Sequence, residues 1–173
     1  PSASVSVETR SATGVSDSSA TLRGRLTELT GVDSAEVSTE YGTDDFSGKT
    51  FGLWGLSFKP ETDDIREAPA LYVAEELVKN GAKLLAYDPE AIQTFKAATS
   101  QQVLEATTFV HNQKEALEGT DALVICTEWN EFRRPTVDNF ADAMKHPTIF
   151  DGRNLYDLER ARKAGITYIS VGR

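Results

Sequence analysis

From Ser47 to the end of the chain, short apolar runs alternate with stretches whose apolar residues recur every three or four positions. TFGLWGLSF, KLLAYDP, ALVICT, TIFDG and TYISVG have strand length and strand composition, and a weaker strand lies near TTFV. Between them, APALYVAEELVKN places Leu71, Val73, Ala74, Leu77 and Val78 at helical spacing, and Gly81 follows where a helix stop belongs. AIQTFKAATS, QKEALEG, TVDNFADAMK and DLERARKAG are the further predicted helices. Parallel strands need long crossover connections, and helices supply them, so this alternation predicts an α/β domain with a doubly wound, mainly parallel sheet.

Residues 1–46 follow a different rhythm. VSVET, ATLRGRL and AEVSTEYG alternate apolar with polar or small residues, and TGVSDSS and LTGVDS separate them as turn-like spacers. This is a β-rich segment, and SATGVSDSSATLRGRLTELTGVDSAEVSTEYGT resembles the opening strands of a fibronectin type III-like β-sandwich. Such a sandwich has about seven strands, and three fit before the pattern changes at Asp44-Asp45-Phe46. Part of a sandwich leaves an open edge and an uncovered apolar face, so the expectation at Ser47 is a junction of two unlike units, through fusion or truncation. The expected division is 1–46 and 47–173.

Composition narrows the function classes. The hydrophobic fraction is 39% and the charged fraction 26%, as in ordinary globular proteins, and no apolar run approaches the roughly 20 residues of a membrane span. A formal net charge of −9 argues against nucleic acid or an acidic membrane as partner, because both demand clustered cations. The acidity is uneven: residues 1–46 hold three Arg and no Lys against eight acids, and the rest holds fifteen cations against nineteen acids. Cys126 is the sole cysteine, which leaves no intrachain disulfide and points to a reducing, cytoplasmic compartment. His111 and His146 are too scattered to suggest a metal site, and PSASVSVETR lacks the pattern of a secretion signal.

In open α/β sheets, ligands bind beyond the carboxyl ends of the strands. Those ends read Phe58-Lys59-Pro60, Asp88-Pro89, Glu128-Trp129-Asn130 and Asp151-Gly152-Arg153. Lys59 and Arg153 would approach one rim from different strands, with Arg66 on the following loop and Arg133-Arg134 beyond ALVICT. A compact ammonium and a forked guanidinium together suit phosphate oxygens. Surface cations more often solvate a face or pair weakly, and Arg133-Arg134 in EFRRP read that way. Asp63, Asp64 and Glu67 could serve metal or proton chemistry, but helix-start capping and an ion pair with Arg66 explain them more simply. Cys126 in an apolar strand reads as a buried, inert thiol. Trp54, Phe58 and Trp129 could stack on a base or sugar, though aromatics in or beside strands are first expected in the core; by position Phe58 is the better stacking candidate. No G-x-G-x-x-G occurs, so a complete nicotinamide-dinucleotide domain is not expected here.

GKTFGLWGLSFKPETDDIREAPAL, GAKLLAYDPEA, GTDALVICTEWNEFR, IFDGRNLYD and GITYISVGR together closely resemble the C-terminal UDP-binding domain of UDP-glucose 6-dehydrogenases, across essentially all of residues 47–173. The resemblance implies a Rossmann-like fold and a family enzyme that oxidises the sugar C6 alcohol twice with two NAD, through cysteine-bound thiohemiacetal and thioester stages. It implies that Phe58 and Lys59 of SFKP touch the UDP-sugar, that Arg153 of DGRN contacts it across a domain boundary, and that Arg66 of DDIRE reaches the NAD side. The complete enzyme would be a homo-oligomer. Nothing in residues 1–46 resembles the family's glycine-rich NAD loop or its cysteine motif, so the expectation is no catalytic residue in this chain and no turnover of UDP-glucose by it alone. Two other readings stay open, a stand-alone nucleotide-sugar module and a folding or fusion partner without activity.

Overall fold

The computed structural model describes residues 45–133, 140 and 142–171. The predicted β-rich segment falls outside them apart from Asp45 and Phe46, and so does Arg134. Six strands form one sheet: β1 (Thr50–Trp54), β2 (Lys83–Tyr87), β3 (Thr107–Phe109), β4 (Ala122–Ile125), β5 (Thr148–Asp151) and β6 (Thr167–Ser170). Their order is β3-β2-β1-β4-β5-β6, and every neighbouring pair is parallel. The α/β reading therefore holds, with a sheet parallel throughout.

Helices α1 (Pro69–Lys79), α2 (Ile92–Ala98), α3 (Gln101–Ala106) and α4 (Leu158–Lys163) connect the strands, with 3₁₀ turns at Glu115–Leu117 and Asn130–Arg133. α1 begins with proline, whose missing N–H is no loss at that position. It ends at Gly81, which adopts φ +91° and passes the N–H of Ala82 back to the Leu77 carbonyl. The acids before α1 do not cap it: Ala68 is the N-cap and contributes no side-chain bond. The predicted helix AIQTFKAATS corresponds to α2, and α3 is not among the predicted helices: Ser100 starts it by accepting from the Val103 N–H. Half of the predicted helix TVDNFADAMK lies outside the described residues, and Phe140 and 142–145 show turns and bends with no helical run.

The central strands β1, β4 and β5 are buried on both faces, which explains why they read as apolar runs, while edge strand β6 alternates exposed and buried positions. Successive side chains of a strand point to opposite faces. Accordingly Phe51 and Leu53 of β1, with Val124 of β4, pack against Val73, Ala74 and Leu77 of α1 and Phe95 of α2. Trp54, Leu123 and Ile125 face the other way onto Phe132, Phe140, Tyr156 and Tyr168. Trp54 stacks on Phe132 at 4.9 Å, meets Phe140 edge-on at 5.6 Å, and gives its indole N–H to the Gln113 carbonyl. Phe46 closes the first layer, buried edge-on against Phe51.

At the carboxyl end of β1 the chain turns through Gly55 with φ +83°, where a Cβ would lie 2.4 Å from the Thr127 Cβ and 2.7 Å from its backbone nitrogen. Both the left-handed backbone and the close approach of the β4 loop demand glycine. Gly55→Ala is expected to cost roughly 1–3 kcal/mol from overpacking, with the backbone strain in addition, read as a lower midpoint in urea unfolding.

Candidate functional site

Strand order places β1 next to β4, and the connections leave these two strands toward opposite edges of the sheet, so the crevice between their carboxyl ends is the topological switch point. Three loops meet there: residues 55–68 after β1, 126–129 after β4, and 152–157 after β5.

Arg153 spans the crevice. Its Nε donates to the Cys126 carbonyl at 2.7 Å and its Nη2 reaches the Phe58 carbonyl at 3.5 Å, so one guanidinium ties the end of β5 to the loops after β4 and β1. Glu128 Oε2 lies 3.1 Å from the same Nε. The N–H is aimed at the carbonyl, which makes the attraction to Glu128 Coulombic without a hydrogen bond. The arginine is held in place from below by Asp151. That buried carboxylate accepts the N–H of Arg153 at 2.8 Å and of Leu155 at 2.7 Å, together with the Tyr168 hydroxyl at 2.5 Å.

The loop after β1 is equally fixed. Leu56 and Ser57 give their N–H groups to Asp88 Oδ2 at 2.7 and 3.1 Å. The Ser57 carbonyl accepts from the Thr127 hydroxyl, and the Phe58 N–H bonds the Asp64 carbonyl at 2.8 Å. Phe58 is thus tied through both its N–H and its carbonyl, yet its side chain remains 47% exposed. Trp54 and Trp129, by contrast, are buried, as expected of core aromatics. Lys59 follows on the exposed surface and has no ion pair among the described residues. Phe58, Lys59 and Arg153 therefore share one rim.

Arg66 joins the same loop through Asp64, whose carbonyl accepts the Phe58 N–H. Its Nε and Nη2 grip the two oxygens of Asp64 at 3.0 and 2.7 Å, an exposed two-point pair that confirms the ion-pair reading of this acidic loop. The guanidinium, with the Arg66 N–H, holds the Asp64 carboxyl down to about 2. Three of its five N–H groups are not used in that pair. At the amino ends of the strands two lysines and a histidine, Lys49, Lys145 and His146, surround Asp121. There the acid serves the fold by accepting the Thr50 N–H.

The switch point of such a sheet invites a dinucleotide, and the described residues do not fit its cradle. A pyrophosphate needs a glycine-rich turn and open N–H groups at the first helix. Here α1 starts at Pro69, and Ala68, Pro69 and Ala70 are all buried. Among the described residues no group of three His, Cys, Asp or Glu could hold a metal ion, and no helix is long and apolar enough to cross a membrane.

Asp88 and Asp151 are the residues that reading the sequence for chemistry passed over. Their signal was present: each stands at a strand end before Pro or Gly and accepts the N–H two residues on, an Asx turn. Cys126 conforms to expectation. It is fully buried beyond β4, and burial pushes its thiol up to about 12, Arg153 only partly opposing. Iodoacetamide at pH 8 is expected to leave the native chain unlabelled and to add one label once the chain is unfolded. Because the folded thiol ionises only near 12, its contribution to stability is complete below the ordinary thiol range and declines as pH rises toward 12, where the unfolded chain alone is ionised. Alkylation of the native state at pH 8 would contradict this placement.

Residues 52–158 match the family model described as "UDP-glucose/GDP-mannose dehydrogenase family, UDP binding domain". A UDP-glucose 6-dehydrogenase of Bacillus subtilis is 44% identical over 127 residues, 73% of this chain and 28% of the relative. Another from Pseudomonas aeruginosa is 42% identical over 129 residues, 74% of this chain and 28% of the relative. Among solved structures, a UDP-glucose dehydrogenase from Pyrobaculum islandicum superposes with a TM-score of 0.55 at 27% identity, covering 73% of this chain and 25% of that one. The chain thus spans little more than a quarter of the length of the curated relatives it matches.

Proposed function

The chain belongs to the UDP-glucose/GDP-mannose dehydrogenase family, over the stretch that is the family's UDP-binding domain, and on that footing we propose that residues 47–173 hold a UDP-sugar at the rim between β1, β4 and β5. The observation that carries this is Arg153 reaching across the switch point to the Phe58 carbonyl, with Lys59 the next residue along. The Phe58 ring offers an apolar face to the base or sugar, and Lys59 and Arg153 offer positive charge to the diphosphate. A loop already tied down by its own backbone loses little freedom when a ligand arrives.

UDP-glucose is the sugar we propose, because the relatives at 44% and 42% identity carry that activity in their names. The two-step oxidation needs a nucleophilic cysteine and NAD. Cys126 is buried with its thiol raised, which is the opposite of an activated nucleophile. Arg66 is the residue we assign to the NAD side, as a single cation already oriented by Asp64. The remaining cofactor contacts and the nucleophile would come from outside this domain, so binding without turnover is the activity proposed for the chain by itself.

Calorimetry with UDP and UDP-glucose tests the proposal. Measurable heat with both ligands, and no NADH on adding NAD, is the expected result. Lys59→Ala is expected to weaken UDP by about 1.5–3 kcal/mol if its ammonium makes a charge-assisted hydrogen bond, or about 10-fold to 150-fold in affinity. Absence of heat at millimolar ligand would remove the proposal, and a Lys59→Ala chain with unchanged affinity would remove Lys59 from the site.

A further inference from the structure

In dinucleotide-binding sheets, the acid that closes the second strand reads the ribose hydroxyls. Asp88 directly follows β2 and occupies that position, yet it is 1% exposed and filled by the protein itself. Oδ1 accepts the N–H of Glu90 at 2.9 Å and of Ala91 at 2.7 Å. Oδ2 accepts from Leu56 N at 2.7 Å, Ser57 N at 3.1 Å, Ser57 Oγ at 3.2 Å and Trp129 Nε1 at 3.0 Å. A carboxylate has about four lone-pair positions, so no capacity remains for a ligand hydroxyl.

We propose that Asp88 is the positioning residue of the nucleotide-sugar rim: it closes the ribose seat of the fold and uses the same carboxylate to lock the Leu56-Ser57 backbone, and with it Phe58 and Lys59, against Trp129 of the β4 loop. The inference rests on the UDP reading above. Three segments distant in sequence meet on this one group, and Phe58 is the first residue beyond its grip. Thr127 and Arg153 continue the bracing by binding the Ser57 and Phe58 carbonyls. The ring and the ammonium are thereby presented in one place before a ligand comes, and the cost of ordering them falls on folding and not on binding.

Two substitutions separate positioning from simple support. Trp129→Phe removes one donor to Asp88 and keeps a buried ring; Asp88→Asn keeps the shape and turns an NH₂ group against donors. Calorimetry with UDP on the full chain is expected to show affinity lowered about tenfold in Trp129→Phe, with an unchanged circular dichroism spectrum at a temperature well below unfolding. The penalty of Lys59→Ala is expected to shrink in the Trp129→Phe or Asp88→Asn background, because the backbone that presents the ammonium is no longer held; general loosening of the domain would leave the penalties additive. In ¹H–¹⁵N spectra the Trp129 indole signal should move in Asp88→Asn while that of Trp54, bonded to Gln113, stays. UDP affinity in Trp129→Phe within about twofold of the unmodified chain, or penalties that add within about 0.3–0.5 kcal/mol, would overturn the positioning role while the UDP reading stands. Failure of the unmodified chain to bind UDP would take both down together.

Discussion

A carboxylate buried in a protein must be met by donors, since the desolvation of its charge is otherwise uncompensated. At Asp88 meeting that demand draws the β1 loop, the start of α2 and the β4 loop onto two oxygen atoms. The rim at the carboxyl ends of the strands depends on this convergence. Without it, the N–H groups of Leu56 and Ser57 and the Trp129 indole would be left buried and unpaired, each a loss on the order of 1–3 kcal/mol.

The second buried acid, Asp151, repeats the arrangement one loop away and gives the rim its layered electrostatics. Acids lie inside, fully engaged with backbone donors and a tyrosine hydroxyl, and cations lie outside on the loops those acids hold. Arg153 belongs to both layers, because its backbone N–H serves Asp151 while its side chain spans Cys126 and Phe58. In a chain of net charge −9, two of the acids that shape this edge, Asp88 and Asp151, point into the protein, while Glu128 stays beside Arg153 at the rim. At the opposite ends of the strands the proportions differ, and Asp121 is itself the centre on which Lys49, Lys145 and His146 gather.

The fold also shows how a dinucleotide-type sheet can be set up for a different ligand. The strand order keeps the switch point and its crevice, while proline and alanine at the start of α1 and the internal saturation of Asp88 remove two features a dinucleotide would use. What remains at the crevice is an exposed aromatic and two cations on rigid loops.

The amino-acid sequence by itself determined the alternation of strands and helices, the stop at Gly81 and the burial of Trp54, Trp129 and Cys126, because hydrophobic period and glycine chemistry are local properties written in neighbouring residues; the exposure of Phe58 it left to the fold. It also placed Lys59 and Arg153 at strand ends, where a general rule of α/β sheets directs attention. It did not disclose the strand order, the short helix α3, or the roles of Asp88 and Asp151. An Asp before Pro or Gly announces a turn, but whether its second oxygen is spent on a ligand or on loops 31, 32 and 41 residues away is decided only when the sheet brings those loops together. Arg66 pairs with an acid two residues away that the sequence already offered. The tertiary structure alone settled that Arg153 bridges two strand ends, since a long cationic side chain takes whichever acceptor the fold brings within reach.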